Sequence, residues 1–412
     1  MRNPAGALPA RIDPLSVAAE PDPYPAYRRM RDEGPLLRGG PAQWVVTRHA
    51  DVSILLSDAR LGNALPEPYH RLSLGDGPAA GFVQRIMLYR DQPAHSRLRR
   101  MMAGSFSNSA IRRLGPRIGE LADEMLATGH QRGELDLAAE LAVPLPLIVA
   151  CEVLGVPAPV RRAAQPRLLD MGRTLATQGA QADRAAVDEA TAWLRDCLSD
   201  LLALRRRRPA DDLLTRMVHP QDGEEQLTDD EIVDNAVFLL FAGFETTSSL
   251  IANGSAALLD HTSELARLRR DRSLLPSAVE EFLRFDPPIQ SRIRVVRSKA
   301  RIGGRILQPG RLLLLMLGSA NRDERAFADP DRLDVGRHPN PHLSFGGGRH
   351  YCLGASLARL EAVMVFGRIL QQFSHIEAAG ARVRSGTSAL RTYASIPVRV
   401  RSATAPSRNG RS

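Results

Sequence analysis

Cysteine is scarce in this chain: three in 412 residues, at positions 151, 197 and 352. An odd, sparse set argues against a disulfide framework and for a reducing compartment. Lysine is scarcer still. Lys299 stands alone, so the net charge of +9 is carried by arginine. Those arginines are spread along the chain rather than gathered in one stripe, which favours a solvated surface over nucleic-acid binding. No stretch has the length and continuous apolar character of a membrane-spanning helix, and no apolar leader opens the chain. The expectation is a cytoplasmic monomer without nucleic-acid or membrane partners. Internal repeats and linker-like composition breaks are also missing. With 43% hydrophobic and 25% charged residues there is material for one large core.

What is present is mostly helical pattern. Residues 1–20 read as a flexible segment, 21–401 as one domain and 402–412 as a disordered tail. Short helices are expected over Pro25–Asp32 and Ala50–Ser57, flanking a strand at Trp44–Thr47. Gly62–Gly81, rich in Gly and Pro, reads as a long loop. Helical patterns follow over 93–103, 110–128, 146–154, 161–175 and 182–208. Thr228-Asp-Asp-Glu231 is a capping box opening a helix from Asp229 to about His261. That helix is apolar around much of its circumference, so it should cross the centre of the molecule. Pro276–Phe285 is a helix stopped by Pro287-Pro288. Strands are expected at Ile293–Val296, Ala300–Ile306, Leu312–Leu317 and Ser395–Val400, with Pro397 marking the last as an edge. The fold class is mainly α with a small β-rich portion.

The chemistry centres on Phe345-Gly-Gly-Gly-Arg-His-Tyr-Cys-Leu-Gly354. Glycines give the backbone access to positive φ and close approach to a flat partner. Amides at the start of the following helix, Ala355–Leu370, can point at the Cys352 sulfur and favour its thiolate. A soft metal ligand held against something planar suits this arrangement, and haem iron bound by Cys is one such case. Zinc held by His338, His342, His350 and Cys352 is an alternative, but the spacing is awkward for a structural knuckle and leaves the glycines unexplained.

Phe345-Gly346-x-Gly348-x-His350-x-Cys352-x-Gly354 resembles the haem-binding loop of the cytochrome P-450 superfamily in its soluble bacterial form. The resemblance makes Cys352 the proximal iron ligand, with Phe345 shielding the sulfur, His350 on a haem propionate, and Gly346 and Gly354 in the cofactor loop. Further motifs follow the family's order. Glu281-Phe-Leu-Arg284 resembles its core ion pair, with Arg332 as the expected third member. Ala242-Gly243-Phe244-Glu245-Thr246 resembles its oxygen-activating turn, which implies Ala242 and Gly243 against the haem and Glu245 with Thr246 as the catalytic acid–alcohol pair. His95, Arg99 and Arg294 match its propionate contacts.

The implied fold is that of the superfamily, with haem between the long central helix and the cysteine-loop helix. The implied activity is insertion of one atom of O2 into a lipophilic small molecule, using haem b and electrons from NAD(P)H through a ferredoxin and its reductase. Arg97, Arg100, Arg112, Arg113, Arg349 and Arg359 are candidates for the docking face of an acidic redox partner. Met87, Phe238, Ile289, Ile293 and Ala389 are expected to line the substrate pocket. The arginine-rich, lysine-poor composition resembles biosynthetic enzymes that tailor polyketides, macrolides, peptides or terpenoids. Oxidative coupling, peroxide-driven oxidation and a non-enzymatic haem sensor remain as alternatives.

Overall fold

The structure, a computed structural model, describes residues 13–40, 42–177, 183–220, 225–386 and 390–403. Its axis is the helix Asp229–Asp260, which begins at the expected capping box. The Thr228 hydroxyl accepts from the Glu231 amide at 3.2 Å, and the Glu231 carboxylate accepts from the Thr228 amide at 3.0 Å. Against the expectation of no such stretch, this helix is long and apolar enough to cross a membrane. Its most apolar window is 67% buried within the protein, so the hydrophobicity serves the core. The helices Pro144–Leu154, Arg184–Arg207, Leu275–Phe285 and Ala355–Gln372 pack around it. Buried Asp234 on the central helix is paired with Arg85 and Arg195. One residue on, the Asn235 side-chain Oδ1 accepts from the Met87 amide at 2.7 Å. These polar contacts pin the segment around Arg85–Met87 over the helix.

That segment differs from the sequence reading. Residues 62–81 are not one long loop: helices occupy Glu67–Leu74 and Pro78–Arg85. Proline at N1 or N2 starts both helices, where its missing N–H costs nothing. The prolines therefore begin helices here. Within the stretch expected to be flexible, Pro14–Ala19 is helical, capped by Asp13, and Ala18 is buried beside Tyr27 and Met30. The tail from 404 onward lies outside the described residues.

A five-stranded sheet flanks the helices in the order Leu37–Arg38, Gln43–Val46, Leu312–Leu315, Arg292–Val296, Leu61–Gly62. Four consecutive buried leucines make Leu312–Leu315 its centre. It pairs parallel with Gln43–Val46 and antiparallel with Arg292–Val296. The stretch expected as one strand, 300–306, is a hairpin of Ala300–Ile302 and Arg305–Leu307. Its turn is Gly303-Gly304, both at positive φ. The final strand, Pro397–Ser402, is central rather than edge, flanked by Glu134–Asp136 and Phe373–Ala378. Pro397 is its first residue, where the missing donor breaks no interior ladder bond.

The ion pair Glu281–Arg284 is fully buried, with Arg284 Nε donating to Glu281 Oε2 at 2.7 Å. Arg284 also donates to the carbonyls of Asn321 at 3.0 Å, Pro330 at 2.8 Å and Arg332 at 3.1 Å. The expected third member is thus corrected. Arg332 contributes its backbone carbonyl, and its side chain is exposed. The guanidinium on Glu281 belongs to Arg337, whose Nε lies 3.1 Å from both carboxylate oxygens. The Asp334 amide, at 2.9 Å, and the Asn340 side-chain amide, at 3.2 Å, complete the shell. A buried charge needs such dense hydrogen bonding to persist. The lock fixes the segment leading into the cysteine loop.

Candidate functional site

A cavity of about 190 Å³ opens between the central helix and the loop before Ala355–Gln372. The cysteine loop closes on itself through the Cys352 amide, which donates to the Phe345 carbonyl at 2.9 Å. Cys352 exposes its surface to this cavity. The Gly354 amide hydrogen-bonds its sulfur, the helix-start contact expected from sequence. Burial raises the thiol pKa against that amide and the charges of Arg292, Arg99 and Arg359. The Phe345 ring lies beside the sulfur-bearing loop, with the Arg359 guanidinium 4.3 Å from its centroid.

The three glycines divide their work. Gly346, at φ 73°, lines the cavity. Gly348, at φ 62°, instead packs against the helix His49–Ser57: a Cβ there would lie 2.9 Å from the Ser57 Cα and 3.1 Å from the Leu56 carbonyl. Positive φ therefore accounts for the first glycine, and close approach to a neighbouring backbone for the third.

Basic side chains converge on one end. His95 and Arg99 come from the helix Ala94–Ala103, Arg292 and Arg294 from the sheet strand, and His350 from the cysteine loop. The His95 and His350 rings lie 4.0 Å apart. Burial and neighbouring cations lower the pKa of His95, bring His350 down to about 3 and take Arg294 to about 10. Asp91 lies within electrostatic reach but is bound to Arg297 and to the amide of Asn63. Among the described residues, Arg294 donates only to the carbonyl of its neighbour Ile293, at 3.0 Å. Guanidinium groups facing a cavity without carboxylates of their own, beside the ring nitrogens of two histidines, call for anions from outside the chain. Haem, as implied by the resemblance, carries two carboxylates and an iron that takes thiolate. The residues present fit it. Zinc finds no such fit: His342 is held by Glu280 at 2.9 Å, and no cluster of three or more His, Cys, Asp or Glu exists among the described residues.

On the opposite wall the central helix presents Phe238, Leu239, Ala242, Gly243, Thr246 and Thr247. The Thr246 hydroxyl donates to the Ala242 carbonyl at 2.8 Å. A Cβ on Gly243 would make only an ordinary 3.5 Å contact with Ala150, so packing does not demand glycine there. Met87 and Ile289 also line the cavity.

The other expected residues fare differently, and Ile293 is a correction. Glu245 does not line the cavity. Its carboxylate lies against Gly172 in the helix Ala158–Thr177, where a Cβ would come within 2.6 Å of both oxygens. Helix geometry turns it about 100° from Thr246. Ile293 points away, into the cluster of Leu314 and Met316, because strand side chains alternate and Arg292 and Arg294 take the cavity face. Ala389 lies outside the described residues. Of the docking candidates, Arg97 is paired with Glu231 and Arg359 with Glu280, whereas Arg100, Arg112, Arg113 and Arg349 are exposed.

Sequence reasoning singled out none of Arg292, Arg337 and Glu361. Strand alternation with Arg294 would have found the first. Glu361 lines the cavity with one carboxylate oxygen unpartnered, and burial pushes its pKa well up. Only the turn-by-turn register of the cysteine-loop helix would have marked it.

Comparison with known proteins agrees with this geometry. The family model described as Cytochrome P450 matches residues 164–386. The chain is 37% identical over 377 residues to nocardicin C N-oxygenase of Nocardia uniformis subsp. tsuyamanensis, covering 89% of this chain and 91% of that protein. It is 36% identical over 362 residues to the cyclomarin C epoxidase CymV of Salinispora arenicola, covering 86% and 90%. The crystal structure of CalO2 superposes with a TM-score of 0.87 at 35% identity, over 95% of this chain and 99% of that one.

Proposed function

The chain belongs to the cytochrome P450 family and is a monooxygenase of it, and from that premise we propose which residues do the work and on what class of molecule. The observation that carries the reading is the pairing of Cys352, amide-supported at the cavity wall, with a carboxylate-hungry basic cluster. Cys352 would hold haem iron through its sulfur, and His95, Arg99, Arg294 and His350 would hold the two propionates. When bound, the haem, as haem b, supplies activation of O2 with electrons from an external donor.

The chain's own residues position and protonate. Phe345, covered by Arg359, keeps water from the sulfur side. Thr246 holds its hydroxyl at the cavity wall, anchored on the Ala242 carbonyl, and would donate a proton into the cavity. Glu245, on the adjoining face and against Gly172, would bring protons from the side of the helix Ala158–Thr177. Glu281, Arg284 and Arg337 act structurally, holding the segment that leads to the loop. Phe238, Leu239, Met87 and Ile289 offer an apolar wall to a lipophilic substrate.

The relatives' names, an N-oxygenase of nocardicin C and an epoxidase of cyclomarin C, support a tailoring step in natural-product biosynthesis. The electron donor is a ferredoxin reduced by an NAD(P)H-dependent reductase, and the protein acts in the cytoplasm. Turnover with isotopically labelled dioxygen, a ferredoxin and its reductase tests the reading. One labelled oxygen atom should enter each product molecule. Unlabelled product, its oxygen taken from water, or product formed only with peroxide, would count against it.

A further inference from the structure

The charge lining the cavity does not balance on haem alone. Three guanidinium groups line it, those of Arg99, Arg292 and Arg294. The acid among the described lining residues is Glu361, whose pKa burial pushes well up, toward the uncharged form. Asp91, just outside, is engaged by Arg297. A ferric porphyrin ligated by thiolate is neutral at its centre, so haem would bring two negative charges on its propionates. Against three guanidinium groups, two carboxylates leave one positive charge unmet.

Geometry identifies which one. Arg294 lines both the main cavity and a second, polar cavity of about 170 Å³, together with Asn63, Asp91, Arg297 and His350. Arg99 and Arg292 line the main cavity and not the polar one, but Arg99 stands within electrostatic reach of His95 and His350, at the propionate end, and Arg292 does not. Two residues earlier on the same strand face, it sits roughly 7 Å from Arg294. The chain just before it, Pro288 and Ile289, lines the apolar part of the cavity. Among the described residues no side chain or carbonyl hydrogen-bonds or ion-pairs with the Arg292 guanidinium, although it is enclosed by protein and its charge reaches Tyr89 and Cys352. An enclosed guanidinium without a partner is costly, and a carboxylate is the group its planar donors fit best.

We propose that Arg292 receives a carboxylate of the substrate, so that this enzyme acts on lipophilic acids. The acid end would lie beside Arg292 and the apolar body against Phe238, Leu239, Met87 and Ile289. This rests on the haem-thiolate reading of the cavity and adds the substrate class to it.

The test titrates haem-loaded protein with saturated acids from decanoic to hexadecanoic acid and with their methyl esters, reading the spin-state shift of the Soret band. Wild type should bind its best acid at least about tenfold tighter than the matching ester, the scale of one charge-assisted hydrogen bond. Arg292→Gln should abolish that preference with haem content and the reduced, CO-bound band unchanged, and Arg292→Lys should restore much of it. Equal binding of acid and ester by wild type overturns the proposal, as does an acid preference that survives in Arg292→Gln. Haem loss from Arg292→Gln with the preference retained also overturns it and assigns the third carboxylate contact to haem. A wild-type protein without the thiolate-type CO band overturns the haem-thiolate reading and this inference together.

Discussion

Three residues decide how the site is read: Thr246, Gly243 and Arg337. Thr246 is tied to the Ala242 carbonyl yet faces the cavity, so Thr246→Ala removes a proton donor without removing a packing contact. NAD(P)H consumption should continue while product per NAD(P)H falls roughly tenfold or more, as expected when a general acid is lost. Measured coupling efficiency checks this. Gly243→Ala meets only Ala150, at 3.5 Å. It should raise stability by up to about 1 kcal/mol through helix propensity, while the added methyl crowds the cavity and weakens spin-state shifts with bulky ligands. Arg337 and Arg332 make the sharpest pair. Removing Arg337 strips a buried carboxylate of its second guanidinium, so Arg337→Ala should cost about 3–5 kcal/mol in urea unfolding. Arg332→Ala removes only an exposed side chain and should stay within about 0.5 kcal/mol of wild type.

At the scale of elements, the helix Leu275–Phe285 is tied to the cysteine-loop helix through Glu280, which accepts from Arg359 at 2.6 and 2.8 Å and contacts His342 at 2.9 Å. Burial alone would raise the Glu280 pKa, but those contacts outweigh it and hold it at about 2. A carboxylate depressed on folding stabilises above its unfolded pKa, near 4.5, and loses that contribution as pH falls toward 2. The stability gap between wild type and Glu280→Gln should therefore be full at neutral pH and narrow below about 4.5. Unfolding followed across pH checks it. Much of this framework was legible in the sequence, because capping boxes, apolar periodicity and proline stops are local signals. The central helix and the cysteine-loop helix were recovered from them. The helices Glu67–Leu74 and Pro78–Arg85 were not, because proline reads as a loop former until its N1 or N2 position is seen. The site divides similarly. Cys352, His95, Arg99, His350 and Thr246 carry motif spacing. Arg337 on Glu281 depends on a contact between distant segments, which no local pattern encodes, and Glu361 shows only in the register of the cysteine-loop helix.

Across the whole molecule, arginine supplies both the interior cations and the surface charge. With Arg97 and Arg359 committed to ion pairs, the remaining exposed candidates for an acidic redox partner are Arg100, Arg112, Arg113 and Arg349. Replacing Arg112 and Arg113 together by Glu should slow reduction by a ferredoxin about tenfold at low ionic strength and flatten its salt dependence. The spectrum of the haem should not change. Stopped-flow reduction at several salt concentrations separates these outcomes. Beneath every other prediction lies the Cys352 sulfur as the iron ligand. The reduced, CO-bound spectrum of the haem-loaded protein reads it. Wild type should show a Soret band near ~450 nm that Cys352→Ser abolishes. A wild-type band near ~420 nm, or one near ~450 nm that persists in Cys352→Ser, would contradict the assignment.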